Sequence, residues 1–139
     1  MIPNPFYSKL IFISVIGLVY GNTFLNAFHF DDIPSILEKP WIRGLDKIPL
    51  FLHKGSFFLR PLVILSFNIN YAISEFQVWS YHLFNIIFHV IATILVYQFA
   101  KKALEFLADF SPSKGFAFLP FLAAMAFALH PLNTQSVTY

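Results

Sequence analysis

Charged residues fall along the chain in clumps, and the stretches between the clumps carry most of the structural information. Residues 10–30, 76–100 and 115–139 contain no Asp, Glu, Lys or Arg. A hydrocarbon core about 30 Å thick is crossed by roughly 20 mostly apolar helical residues. Each run meets that length, so membrane spans are predicted near residues 9–28, 80–100 and 115–131. A fourth uncharged run, PLVILSFNINYAIS over 61–74, is too short to cross by the same measure. In it Ser66, Asn70 and Ser74 recur at every fourth position, which puts one polar face on an otherwise apolar helix. The pattern predicts a helix over about 60–75 lying along the membrane surface. The expected fold is an all-α membrane protein with three transmembrane helices, one interfacial amphipathic helix and a loop over 29–79 whose first part, 29–59, is mostly irregular.

Composition supports a membrane setting. Hydrophobic residues make up 58% of the chain and charged residues only 12%, against about 25% charged in an ordinary soluble domain. The 19 Phe exceed what one soluble core of this size would use. A net charge of +2 with no basic stripe gives no reason to expect nucleic acid as a partner. With no Cys there is neither a disulfide framework nor a thiolate metal site. Lys9 followed by LIFISVIGLVY has the outline of a signal peptide, but no A-x-A-like cleavage site follows. Apolar residues continue through Phe24, Leu25, Ala27 and Phe28, which favours a retained anchor. Lys101 and Lys102 abut the second span, which places that end in the cytoplasm and the 29–79 loop on the extracytoplasmic or lumenal side.

Candidate chemistry gathers where the first span ends. Asp31 and Asp32 stand just beyond the apolar run, with Pro34 after them. They can simply terminate the span. They can also act: a carboxylate at the interface meets both a lipid-linked donor and a water-soluble acceptor, and it can take the proton from an attacking hydroxyl. Its neighbour can orient the acceptor or hold a divalent cation, which prefers oxygen ligands. Arg60, directly before Pro61, suits a phosphate through two-pronged hydrogen bonding, or equally a lipid headgroup. The sequence contains no glycine-rich phosphate cradle, nucleophile elbow or His pair at metal-binding helical spacing. In the second span His82, Asn85 and His89 fall on one helical face. Polar groups at membrane depth are tolerated when they face protein or a wet cavity, so the ridge predicts helical neighbours. It can serve interhelical hydrogen bonding or a substrate. Ala123, Ala124, Ala126 and Ala128 in the third span are small enough for close helix approach. That span leaves through His130, Pro131 and Asn133, on the side of Asp31 and Asp32 if the spans alternate.

The segments FHFDDIPSI, EKPWIR, RPLVILSFNINYAI, YHLFNIIFHV and ALHPLNTQSV, in that order, resemble the transmembrane and tetratricopeptide-repeat O-mannosyltransferase-like proteins. These are membrane glycosyltransferases of the GT-C class, and the likeness runs from about residue 17 to the end. It implies transfer of a sugar, mannose in that family, from a polyprenyl-phosphate carrier to a protein or other acceptor on the extracytoplasmic face. It also implies that an acidic residue of the first external loop is central. Carried over, it implicates Asp31 and Asp32 as catalytic, Asp31 ahead by a little; Arg60, His130 and Asn133 are the substrate-binding candidates that the residues themselves suggest. Members of the family continue through many more spans and into helical repeats, whereas no repeat with the tetratricopeptide pattern occurs here. The chain is therefore expected to be the N-terminal portion of a GT-C-like bundle, with membrane lipid and the remaining helices as partners, and to be inactive by itself. The alternative is a non-catalytic membrane assembly module or degenerate remnant in which the aspartates only cap a span.

Overall fold

Asn4 and Pro5 open the first helix, α1 (Pro5–Tyr20). The Asn4 side-chain oxygen accepts the Phe6 amide at 3.0 Å. Proline at the next position loses nothing, because first-turn amides have no helical acceptor. The helix tightens into a 3-10 stretch over Gly21–Leu25, making one apolar segment of 21 residues and about 34 Å. Four further helices follow: α2 (Pro61–Ser74), α3 (Val78–Ala108), α4 (Leu119–Ala128) and α5 (Pro131–Thr138). The structure, a computed structural model, describes residues 4–28, 33–47, 61–108 and 117–138, and among these there is no strand. The regular structure of the described residues is all-helical, as the hydrophobic pattern predicted.

Two of the expected spans have the length and composition to cross a membrane, Pro5–Leu25 and Val78–Leu107. The third is represented by α4, whose ten residues reach only about 15 Å. The expected start of that span at residue 115 lies outside the described residues, so length alone does not carry a third crossing. The helix expected over 60–75 is present as α2. The expectation of a mostly irregular loop does not hold for residues 33–47. Three single turns occupy them, Ile33–Leu37, Pro40–Ile42 and Leu45–Lys47, with Pro34 and Pro40 at or near their starts. The polar exit beyond Pro131 is itself a helix, α5.

The residues group into two compact units. The first, Met1–Asn22 with Asn85–Thr138, holds two apolar clusters. In one, Phe12 stacks on Phe121 at 5.3 Å between centroids and meets Tyr97 edge-on at 5.6 Å, with Ala124 fully buried beneath. In the other, Ile16, Tyr20, Ala128 and Val137 pack with Ile86 and Val90. Ala124 and Ala128, one turn apart, are the alanines that bring α4 into contact, whereas Ala123 and Ala126 are exposed. The second unit, Thr23–Phe84, packs Ile36 and Ile42 from the short turns against Tyr81, with Phe28, Ile64 and Phe67 around them. Here α2 ends because Glu75 takes a left-handed conformation (φ 53°). The Ser74 hydroxyl reaches the Gln77 carbonyl at 3.0 Å and pairs with the Ser80 hydroxyl, fastening the end of α2 to the first turn of α3.

Both units bury polar side chains and display apolar ones. Asn68, Asn70 and Ser74 of α2 are buried while Leu62 is 78% exposed and Ile73 largely so. On α1, Ser8 is buried and Leu18 is 84% exposed; on α3, His89 and Thr93 are buried while Leu95 and Phe99 face out. Of the polar face expected on α2, Asn70 and Ser74 turn inward together with Asn68, whereas Ser66 is only partly covered and bonds back to the Val63 carbonyl, so the single polar face expected there does not form. In water this arrangement would waste the hydrophobic effect, whereas in hydrocarbon it hides the groups that are costly there. A test follows from Leu95, near the middle of α3. Replacing a membrane-facing leucine by lysine costs about 3 kcal/mol of insertion at a helix centre. Leu95→Lys should lower the carbonate-resistant membrane fraction of the chain sharply, and an unchanged fraction would show that this face does not meet lipid.

Candidate functional site

The corner between α4 and α5 is built by one proline. Pro131 has no amide hydrogen, so the Phe127 carbonyl loses the donor a continuous helix would have supplied four residues on. Two groups replace it: the His130 amide at 3.2 Å and the Asn133 side-chain amide at 2.6 Å. The Leu132 amide, which would otherwise return to the Ala128 carbonyl, donates instead to Nδ1 of His130 at 3.3 Å. That bond requires Nδ1 to be the unprotonated nitrogen, so in a neutral ring Nε2 carries the hydrogen. The Ala128 carbonyl, released in turn, accepts from the Tyr20 hydroxyl at 3.0 Å and from Nε2 of His89 at 3.0 Å. A carbonyl only accepts, so His89 is also held with hydrogen on Nε2. The rings of Tyr20 and His89 meet edge-on at 5.3 Å, and Thr93 donates to the His89 carbonyl at 2.9 Å.

Of the residues singled out in the sequence, His130 and Asn133 therefore share this corner. His130 is exposed and retains Nε2–H; Asn133 is half-buried and has spent one amide hydrogen on Phe127. Asp31, Asp32 and Arg60 lie outside the described residues. The ridge on α3 turns inward as expected at His82 and His89, both buried, and His89 makes an interhelical hydrogen bond. No group of three or more potential metal ligands occurs among the described residues.

Sequence reasoning passed over two residues. Tyr20 closes the first apolar helix, and the signal was available: a lone hydroxyl at the end of such a run seeks a buried acceptor. Arg43, in the second unit, donates to the Leu37 carbonyl at 2.9 Å and lies 5.5 Å from the centre of the Phe76 ring. It closes the short turns where Gly44 (φ 123°) reverses the chain, and a Cβ at Gly44 would collide with the Asp46 carboxylate. The EKPWIR segment thus has a local structural purpose.

Comparison with known proteins gives the wider frame. Over 144 residues, 96% of its length, the chain is 29% identical to protein O-mannosyl-transferase TMTC3 of Mus musculus. It is 35% identical over 136 residues to TMTC2 of the same species and 31% identical over 140 residues to protein O-mannosyl-transferase F38B6.6 of Caenorhabditis elegans. The chain is a relative of the TMTC proteins. It spans 14–19% of the length of these three. No protein-family profile matches it, and no solved structure does.

The Asn133 amide gives a direct check on the corner. Asn133→Ala leaves the Phe127 carbonyl one donor short and should cost about 1 kcal/mol. Asn133→Asp sets a carboxylate against that carbonyl and should cost more. Thermal loss of helicity in detergent measures both, and a wild-type midpoint for the Asp variant would mean that the amide is not the donor.

Proposed function

We propose that this chain is part of a membrane O-mannosyltransferase that moves mannose from a polyprenyl-phosphate carrier to a hydroxyl acceptor on the extracytoplasmic face. The observation that carries this reading is the likeness, over 89–96% of the chain, to relatives named protein O-mannosyl-transferases. Two apolar helices of spanning length support a membrane setting, and the Asp pair follows the first of them. In the reaction, the acceptor oxygen bonds to the anomeric carbon as the bond from that carbon to the carrier phosphate breaks. A carboxylate of Asp31 or Asp32 takes the acceptor's proton, and the other orients the acceptor or holds a divalent cation. Arg60 pairs with the carrier phosphate, whose charge grows as it leaves. His130 contributes Nε2–H and Asn133 its remaining polar atoms to substrate. A third crossing over 115–131, α2 at the membrane surface and the 29–79 loop outside complete this GT-C-like arrangement.

The test uses membranes containing the product of the full reading frame, with expression of each variant checked. Asp31→Asn and Asp32→Asn keep side-chain size but remove the charge and the basicity. At least one should lose transfer by about 10²–10⁴-fold, the usual worth of general-base assistance. Arg60→Ala should raise the KM for the polyprenyl-phosphate sugar. Wild-type turnover in both Asp variants would return the pair to the role of a polar span end and leave the chain a non-catalytic assembly module. The 139-residue chain alone should transfer nothing, because three spanning helices do not enclose a donor and an acceptor together.

A further inference from the structure

We propose that Tyr20 and His89 are positioning residues for His130, acting through the Ala128 carbonyl. The geometry is an exchange of hydrogen-bond partners. In an unbroken helix the Ala128 carbonyl would accept from the Leu132 amide, four residues on. Here it accepts from Tyr20 and His89, both at 3.0 Å, and so both of its lone pairs are taken. The Leu132 amide is left to donate to Nδ1 of His130, and that bond fixes the ring and its tautomer. Removing the two outer donors frees the carbonyl to take Leu132 back, and His130 then loses the partner that orients it. All three donors and acceptors belong to the same compact unit, and Tyr20, His89 and Ala128 are buried, so water does not substitute readily. Tyr20 sits at the end of α1 and His89 is well inside α3, so two helices jointly set a side chain that belongs to neither. The use of His130 in sugar transfer rests on the function proposed above, whereas its positioning rests on the corner alone.

The test reads the ring itself. The 139-residue chain, with 15N-labelled histidine, is placed in lipid nanodiscs at a pH where imidazole is neutral, and His130 is assigned by its loss in His130→Gln. The wild type should show well-separated Nδ1 and Nε2 shifts, the mark of a single Nε2–H tautomer. Tyr20→Phe, which removes one hydroxyl, should narrow that separation, and Tyr20→Phe with His89→Leu should collapse it toward the average of two exchanging tautomers. His89→Gln keeps a donor near the place of Nε2 and should restore the wild-type pattern relative to His89→Leu. Separated shifts that persist in a double variant of wild-type helix content would overturn the proposal, as would averaged shifts in the wild type. Should the double variant lose helix content, Tyr20→Phe decides: an unchanged pattern there refutes the coupling. The transfer reading fails independently, through normal turnover of the Asp31→Asn and Asp32→Asn enzymes, so the two failures are distinguishable.

Discussion

A polar group that has left water must find its partner within the protein, and in a bilayer there is no second chance at the surface. That constraint orders many of the contacts described above. Thr93 bonds back to the carbonyl four residues before it, as Asn68 does at 3.0 Å to Ile64. Ser74 and Ser80 satisfy each other at the joint of α2 and α3. Much of what faces outward on the longer helices is leucine, isoleucine and phenylalanine. The exterior of each unit thus resembles an ordinary interior, and the polar residues buried behind it are ones a soluble protein would display.

The same constraint explains why the α4–α5 corner recruits side chains from other helices. A helix end leaves carbonyls without donors, and at a loop in water these are hydrated. Pro131 creates such an end beside buried residues. The Phe127 carbonyl is met by Asn133, from just beyond the break, and the Ala128 carbonyl by Tyr20 and His89, from α1 and α3. A residue chosen as a binding candidate therefore also has an architectural task. The two are compatible for His130, whose Nε2–H is uncommitted by the bonds at the corner, and less so for Asn133, half of whose donor capacity is used.

Period and charge spacing revealed α1, α2 and α3 because each holds a long uncharged run, and on α3 His82 and His89 fall on one face. They fixed the inward turn of His89 for the same reason. What they did not reveal is short. The turns over residues 33–47 depend on Pro34, Pro40 and the left-handed Gly44, which act within three or four residues and leave no periodic trace. The helix α5 has little apolar pattern, since its sequence PLNTQSVT buries only Val137. The Tyr20 to Ala128 bond joins residues 108 apart, and no local rule predicts a pairing at that separation. The candidate Asp31 and Asp32 were legible by position alone, as the first charges after 21 uncharged residues.

Inverted burial also bears on how such a protein acquires a site at all. A soluble enzyme gathers polar catalytic groups at its surface and must then exclude water from them. Here several polar groups of α1, α2 and α3 already lie inward, and a bilayer excludes water without help. The harder problem is to stop those groups from pairing entirely with one another. Proline at 131 solves it locally: by deleting one amide hydrogen it redistributes several partners and leaves a histidine nitrogen unspent at the end of an apolar helix. A break in regular backbone is tolerated at membrane depth only where protein covers it or a polar cavity adjoins it. The buried carbonyl of Ala128 meets the first condition through Tyr20 and His89. The exposed His130 beside it is where the second would have to be met.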